Sequence, residues 1–396
     1  MNIRNQFLLD SKVTFLNHGS FGACPKEIFS EYQSWQKKLE NQPVKFLDQY
    51  RDFGPNMTNV RKALSKNLNC NINNLVPVVN ATTGLNAIIK SLHFQKGDEI
   101  LMSNHEYGAL EKTWQFIETK FKIKIKIAKV SLPITSEEKF IQDFVSKFNS
   151  KTKILFLSHI TSPTALLFPI KKLIKAAREK NIISIIDGAH APGHIDLNLK
   201  NLNADFYSGN CHKWMMSPKG SAFMWSSSKF KNHLDPLIVS HGWNKKNKST
   251  NQKGALGNSR FIDMFEYNGT KDPAAWLSVP ASIKYINKAK NVKLFKSQSD
   301  TLYNFALKLS KHFNMPLLAD REFLPPLMIA VPIPKVKEIE FQRNLYKNYK
   351  IEIPIIPWEN KSFARISYQL YNSIKDLEKL EYALKKLFQL NQGFYC

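Results

Sequence analysis

KTKILFLSH (151–159), IKKLIKAAREKN (170–181) and IISIID (182–187) decide the fold. The first is an apolar run of strand length, the second an amphipathic helix, and the third a buried strand that ends in a carboxylate. Strand, helix and strand in that order form a βαβ unit, which predicts parallel pairing. The pattern extends outward on both sides. TTGLNAIIKSLHF (82–94) reads as a helix, GDEILMS (97–103) as a turn and strand, and Gly108–Phe121 as a helix with Leu110, Trp114 and Ile117 at helical spacing. KFKIKIKIAK (120–129) alternates as a half-exposed strand does, and SAFMW (221–225) is a further strand introduced by Lys219-Gly220. From about 55 to 225 the chain therefore predicts an α/β domain, a mainly parallel sheet covered by helices.

Beyond about 280 the texture changes to a long amphipathic helix, an irregular Pro-rich stretch FLPPLMIAVPIP (323–334) and a final helix from Ile374 to Leu390. These predict a smaller α+β C-terminal domain, giving divisions at 1–25, 26–280 and 281–396. A chain of 396 residues that is 43% hydrophobic has ample material for such cores, which argues against intrinsic disorder. The start MNIRNQFLLD has no apolar signal region, no run is long enough to span a membrane, and the four cysteines form no CxxC pair. A cytoplasmic protein with neither structural zinc nor disulfides is expected. The net charge of +25 raises the question of nucleic acid. Its lysines are dispersed, and the densest stretches, 120–129 and the polar loop 244–253, carry no interleaved aromatics. The charge thus argues for solubility and non-specific attraction rather than specific nucleic-acid binding.

Chemistry enters at the strand ends. In open parallel sheets ligands bind beyond the carboxyl ends of the strands, so Asp187 in DGAH (187–190) faces a crevice. Taken alone, Asp-Gly is equally a turn signal. The segment SGNCHKWMMSPKG (208–220) carries Lys213, 26 residues later and one connection away. Pyridoxal phosphate needs that pairing, a lysine for its aldehyde and a carboxylate against its pyridinium nitrogen. Its phosphate needs N–H donors and hydroxyls at a helix start, which Asn80-Ala81-Thr82-Thr83-Gly84 offers. Its ring needs an aromatic face, for which Tyr107 follows the next strand.

With these residues in hand the chain resembles the class V aminotransferases, pyridoxal-phosphate enzymes of fold-type I, and among them the isopenicillin N epimerase-like branch. The resemblance runs through FLNHGSFGACP (15–25), NATTGLN (80–86), NHEYGA (104–109), SHITSPT (158–164), DGAHAPG (187–193), GNCHKWMMSPKG (209–220), NGTKDPAAW (268–276) and ARISYQLYN (364–372). It implies a Schiff base at Lys213, Asp187 on the pyridine nitrogen, and His190 and Ser162 near the ring hydroxyl. It implies phosphate contacts from Thr82, Thr83, Asn210 and His212, ring stacking by Tyr107, and a homodimer in which Thr270 reaches the phosphate of the neighbouring subunit. Arg365 matches the arginine that holds the substrate α-carboxylate, a task suited to a planar guanidinium fork. Asn17, His18 and Gly19 match an N-terminal segment closing over the cleft. Two departures stand out. The related cysteine desulfurases carry a mobile cysteine before the matched arginine, and YKNYKIEIPIIPWENKSFAR (346–365) has none, which argues against persulfide chemistry. Asn210 stands where desulfurases more often have Ser.

The resemblance implies an enzyme acting at the α-carbon of an amino-acid-type substrate through its aldimine with the cofactor. Lys213 is the expected base for the α-proton. Proton return to the opposite face gives epimerisation, which ranks first; expulsion of a substituent, as in C–S cleavage, ranks second and transamination third. An epimerase needs a second acid or base, for which His18, His105 and Tyr107 are candidates. A basic nucleic-acid-binding protein and a cofactor-free scaffold of the same fold are the non-enzymatic alternatives.

Overall fold

Thr152–Ser158, Ile170–Glu179 and Ile183–Asp187 form the expected strand, helix and parallel strand, the two strands pairing Ile154 with Ile183 through to Ser158 with Asp187. A computed structural model describes residues 3–245, 253–291 and 294–392. Part of the polar stretch 244–253 thus lies outside the described residues. In chain order the strands are β1 (Thr14–Phe15), β2 (Leu75–Val78), β3 (Glu99–Ser103), β4 (Lys124–Ala128), β5 (Thr152–Ser158) and β6 (Ile183–Asp187). They continue with β7 (Phe206–Asn210), β8 (Ala222–Ser226), β9 (Met328–Ile333), β10 (Ile351–Glu352), β11 (Ile355–Trp358) and β12 (Lys361–Ser367).

Seven of them form the large sheet in the order β2-β8-β7-β6-β5-β3-β4, in which β8 alone runs against the rest. Alternate residues feed different cores on its two faces. Leu101, Leu155 and Leu157 pack into one, and Ile100, Met102, Ile154 and Phe156 into the other. Helices cover both faces, so the central strands read as unbroken apolar runs. β4 is one of the two edges, and there Lys124 and Lys126 are exposed and discourage pairing with another chain. The helix after β2, Ala81–Ser91, lies so close to the sheet that a Cβ on Gly84 would stand 2.4 Å from Ser208 Oγ.

The stretch 323–334 is not irregular throughout. Met328–Ile333 forms strand β9, paired antiparallel with β12 in the three-stranded sheet β11-β12-β9. β9 is an edge strand, which tolerates Pro332 because an edge position need not donate to a ladder. Beyond 280 the described residues are helical over Val279–Asn291 and Leu294–Phe313, where a long helix is expected. β1 pairs with β10, fastening the N-terminal segment to the C-terminal part of the chain. Among the described residues no helix is long and apolar enough to cross a membrane.

Candidate active site

The carboxyl ends of β2, β3, β5, β6 and β7 converge on one cavity of about 350 Å³. Its size is that of a site for a small organic ligand. Asn80 and Thr82 enter it after β2, Tyr107 after β3, Ser158 and Ser162 at and after β5, Asp187 and His190 at and after β6. Asn210, His212 and Lys213 follow β7, and Lys219 and Gly220 lead into β8. The residues are thus gathered by topology, each on a short turn at the end of a buried strand.

The helix Ala81–Ser91 opens at the cavity with Asn80 as its cap, whose Oδ1 accepts from Thr83 N at 2.7 Å. Asn210 Oδ1 accepts from Ala81 N at 2.8 Å, so two side chains order the first turn. Thr82 lines the cavity, whereas Thr83 contributes its backbone N–H to the cap and does not reach the wall.

Asp187 is buried, accepts from Ala189 N at 2.9 Å, and has its pKa raised by desolvation. Lys213 Nζ lies 3.1 Å from His190 Nε2. Burial, with help from Arg365 and against Asp187, pulls the Lys213 pKa down to about 7. Arg365 comes from β12, buried, with Nη1 donating to Ser162 O at 2.5 Å and Nη2 to Ser20 Oγ at 3.1 Å. Its Nε has no partner and it makes no ion pair among the described residues. Desolvation lowers its pKa from 12.5 to about 10. A buried guanidinium with an open donor and no carboxylate is a receptor for an anion.

Several side chains expected at the site lie elsewhere. His18 is fully buried, its Nδ1 meeting the Tyr371 hydroxyl at 3.1 Å and its Nε2 donating to Lys213 O at 2.9 Å, and burial lowers its pKa to about 3. Asn17 donates from Nδ2 to Glu352 at 3.1 Å. The N-terminal segment instead supplies Ser20 and Phe21 to the cavity wall. Gly22 is needed there, since at φ +73° a Cβ would stand 2.0 Å from His212 O. His105 is buried against Trp358, ring centroids 4.3 Å apart, with Nδ1 on Thr164 Oγ1 at 2.8 Å. Thr270 is exposed and does not line this chain's own cavity.

Sequence reasoning missed Ser20, Phe21, Lys219 and Glu106. Glu106 is buried beneath the floor, where its carboxylate accepts from Ser103 Oγ at 2.5 Å and from Ser158 N and Oγ at 2.8 and 2.6 Å. Burial raises its pKa to about 7. The adjacent Tyr107 was the signal that could have found it.

With this geometry the family match is decisive, because the class V aminotransferase model aligns with residues 22–380. The chain belongs to the class V aminotransferase family. It is 27% identical to an isopenicillin N epimerase of Amycolatopsis lactamdurans, over 98% of either chain. It is 25% identical to a hercynylcysteine sulfoxide lyase of Schizosaccharomyces pombe, covering 98% of this chain and 97% of that one. A solved structure of a C-DES mutant with glycine covalently linked to its PLP cofactor superposes with a TM-score of 0.81 at 17% identity. That match covers 96% of this chain and 98% of the other, and identifies the fold as the fold-type I architecture. The cofactor of this class V enzyme is pyridoxal 5'-phosphate.

The cavity suits that group by its donor set. A capped helix start faces it for a phosphate, a buried carboxylate for a ring nitrogen, and a lysine with a lowered pKa for an aldehyde. Arg365 does not itself line the cavity; it stands behind the wall, bonded to Ser162 and Ser20, which do.

Proposed function

We propose that this class V enzyme acts at the α-carbon of an amino-acid substrate, with Lys213 as the covalent anchor of the cofactor and the base for the α-proton. The observation carrying the reading is the Lys213–His190 contact of 3.1 Å, with burial pulling the Lys213 pKa to about 7. A lysine so poised is both nucleophile and proton acceptor at neutral pH. Asp187 serves the pyridine nitrogen, Thr82, Asn210 and His212 the phosphate, His190 and Ser162 the ring hydroxyl, and Tyr107 the ring face. Arg365 takes the α-carboxylate, which replaces the counter-ion the buried guanidinium lacks. Pyridoxal phosphate, when bound, supplies the sink for the electron pair left by the broken Cα bond.

Epimerisation is the branch we propose first. Tyr107 is the one member of the trio His18, His105 and Tyr107 that lines the cavity. Tyr107 follows β3 and Lys213 follows β7, with β6 and β5 between them, so the two enter the cavity from opposite sides of Asp187. That separation suits a two-group exchange in which Lys213 takes the α-proton and Tyr107 returns one. Elimination of a β-substituent is the second reading, favoured because Lys213 alone meets its demand for a base. We also propose a homodimer, supported by the exposed Leu237, Ile238 and Val239 and by an exposed Thr270 that does not line its own chain's cavity.

The test begins with the absorption spectrum before and after borohydride, and mass spectrometry of the reduced peptide, expected to carry its label on Lys213. Amino acids are then screened in D2O. Deuterium at Cα in both enantiomers from either starting hand supports epimerisation; release of pyruvate with ammonia supports elimination. A label on another lysine would overturn the anchor. Sedimentation of a fully active species at the mass of one chain would overturn the dimer.

A further inference from the structure

The residue after the anchor, Trp214, is buried with its ring between two imidazoles, His194 at 3.8 Å and His18 at 5.0 Å between centroids. Its indole Nε1 donates to His190 Nδ1 at 3.2 Å. An indole N–H has no acceptor capacity, so Nδ1 must offer a lone pair. A neutral imidazole carries one hydrogen, which then sits on Nε2 and faces Lys213 Nζ. We propose that Trp214 is a positioning residue for Lys213: its indole fixes the His190 tautomer, and that tautomer donates a hydrogen bond to Nζ, so that Lys213, whenever it is not joined to the cofactor, is held as the free amine.

The groups around the pair fit this account. Desolvation, then the charges of Lys213 and Arg365, hold the His190 pKa well below its usual 6.5, so it does not take a second proton at neutral pH. Arg365 opposes the ammonium form of Lys213 and Asp187 favours it. His194 accepts from Leu327 N through Nε2, which leaves Nδ1–H for His190 O at 3.2 Å. His18 donates through Nε2 to Lys213 O, and His212 directs Nδ1 to Ser221 O. None of these imidazoles competes for Nδ1 of His190. A free amine is the form that attacks a carbonyl and accepts a proton.

The inference rests on Lys213 as the anchor, yet its test uses the apoprotein and reads Lys213 directly. Trace acetic anhydride labelling of apoprotein across pH, read by mass spectrometry, reports the Lys213 titration. Trp214→Phe frees Nδ1 to carry the hydrogen and lets Nε2 accept from an ammonium, so the midpoint is expected to rise by about one pH unit or more. In a His190→Gln background the same substitution is expected to shift nothing further. Nitrogen-15 NMR of histidine-labelled wild-type apoprotein gives the tautomer without any substitution. Hydrogen on His190 Nδ1, or an unchanged midpoint in folded Trp214→Phe, would overturn the proposal. Borohydride labelling away from Lys213 would instead sink the anchor and leave the tautomer result intact.

Discussion

Replacing Arg365 with methionine separates a residue kept for binding from one kept for folding. The guanidinium is 4% exposed, has no carboxylate, and is pushed from 12.5 to about 10. Holding it charged in the folded protein therefore costs on the order of 3 kcal/mol, a cost fully present at every pH below about 10. Against this stand its hydrogen bonds to Ser162 O, Ser162 Oγ and Ser20 Oγ, at about 1 kcal/mol each. The two nearly cancel, so Arg365→Met should change apoprotein stability by no more than about 1 kcal/mol. Substrate binding should respond far more. Truncating one side of a desolvated charge pair costs about 2–5 kcal/mol. That corresponds to about a 30- to 4000-fold loss of affinity. Urea denaturation of the apoprotein and spectral titration of the holoenzyme, with an amino acid that perturbs the wild-type spectrum, measure the two terms. Loss of more than about 3 kcal/mol of stability with unchanged affinity would refute the reasoning, since Arg365 would then be a strut.

Lys213→Ala should abolish turnover and borohydride labelling while leaving far-UV circular dichroism unchanged; residual wild-type rates would remove Lys213 from the mechanism. Asn210→Ala removes a proposed phosphate contact and the side chain that orders the first turn of the helix, so affinity for pyridoxal phosphate should fall by about tenfold. Pyridoxal, which lacks the phosphate, should bind Asn210→Ala and wild type alike. The acid limb of stability follows from burial. Desolvation lowers His18 and His105 to about 3, His159 and His212 to about 4, and His190 well below 6.5. The unfolded chain takes up these protons near pH 6.5 and the native state does not, so stability falls as pH drops through 6.5. Glu106 and Glu266, raised by burial from 4.5 to about 7, bind protons first in the native state and offset part of that loss until about pH 4.5. Denaturation midpoints should therefore decline gently from pH 6.5 to 4.5 and more steeply below; a maximum at pH 5 would contradict these assignments.

How much of this was legible in the sequence depended on how far apart the cooperating residues lie. Asp187 and Lys213 were readable because each stands at or just after the end of a buried strand, and neighbouring parallel strands bring such ends to one crevice. The helix start at Asn80 was readable for the same reason. β9 was not, because Pro332 and the prolines flanking the strand carry the local pattern of a loop and only pairing with β12 makes it a strand. The contact from Arg365 to Ser20 spans 345 residues and joins three parts of the chain with Ser162, a juxtaposition no spacing rule contains. Histidines failed in another way. His18 and His105 have the right chemistry and stand in the right motifs, but burial makes them structural groups: both ring nitrogens of His18 are engaged, and His105 is stacked on Trp358 with Nδ1 on Thr164. Residue type shows what a side chain can do in water, whereas its partners decide what is left for a ligand. Tyr107, 44% exposed at the start of its helix, is left free by that test. The choice between epimerisation and elimination accordingly turns on it. Tyr107→Phe should abolish inversion while sparing Lys213-dependent exchange of the α-proton in one enantiomer. Unchanged inversion in Tyr107→Phe, which keeps the aromatic ring, would mean that Tyr107 only stacks and does not return the proton.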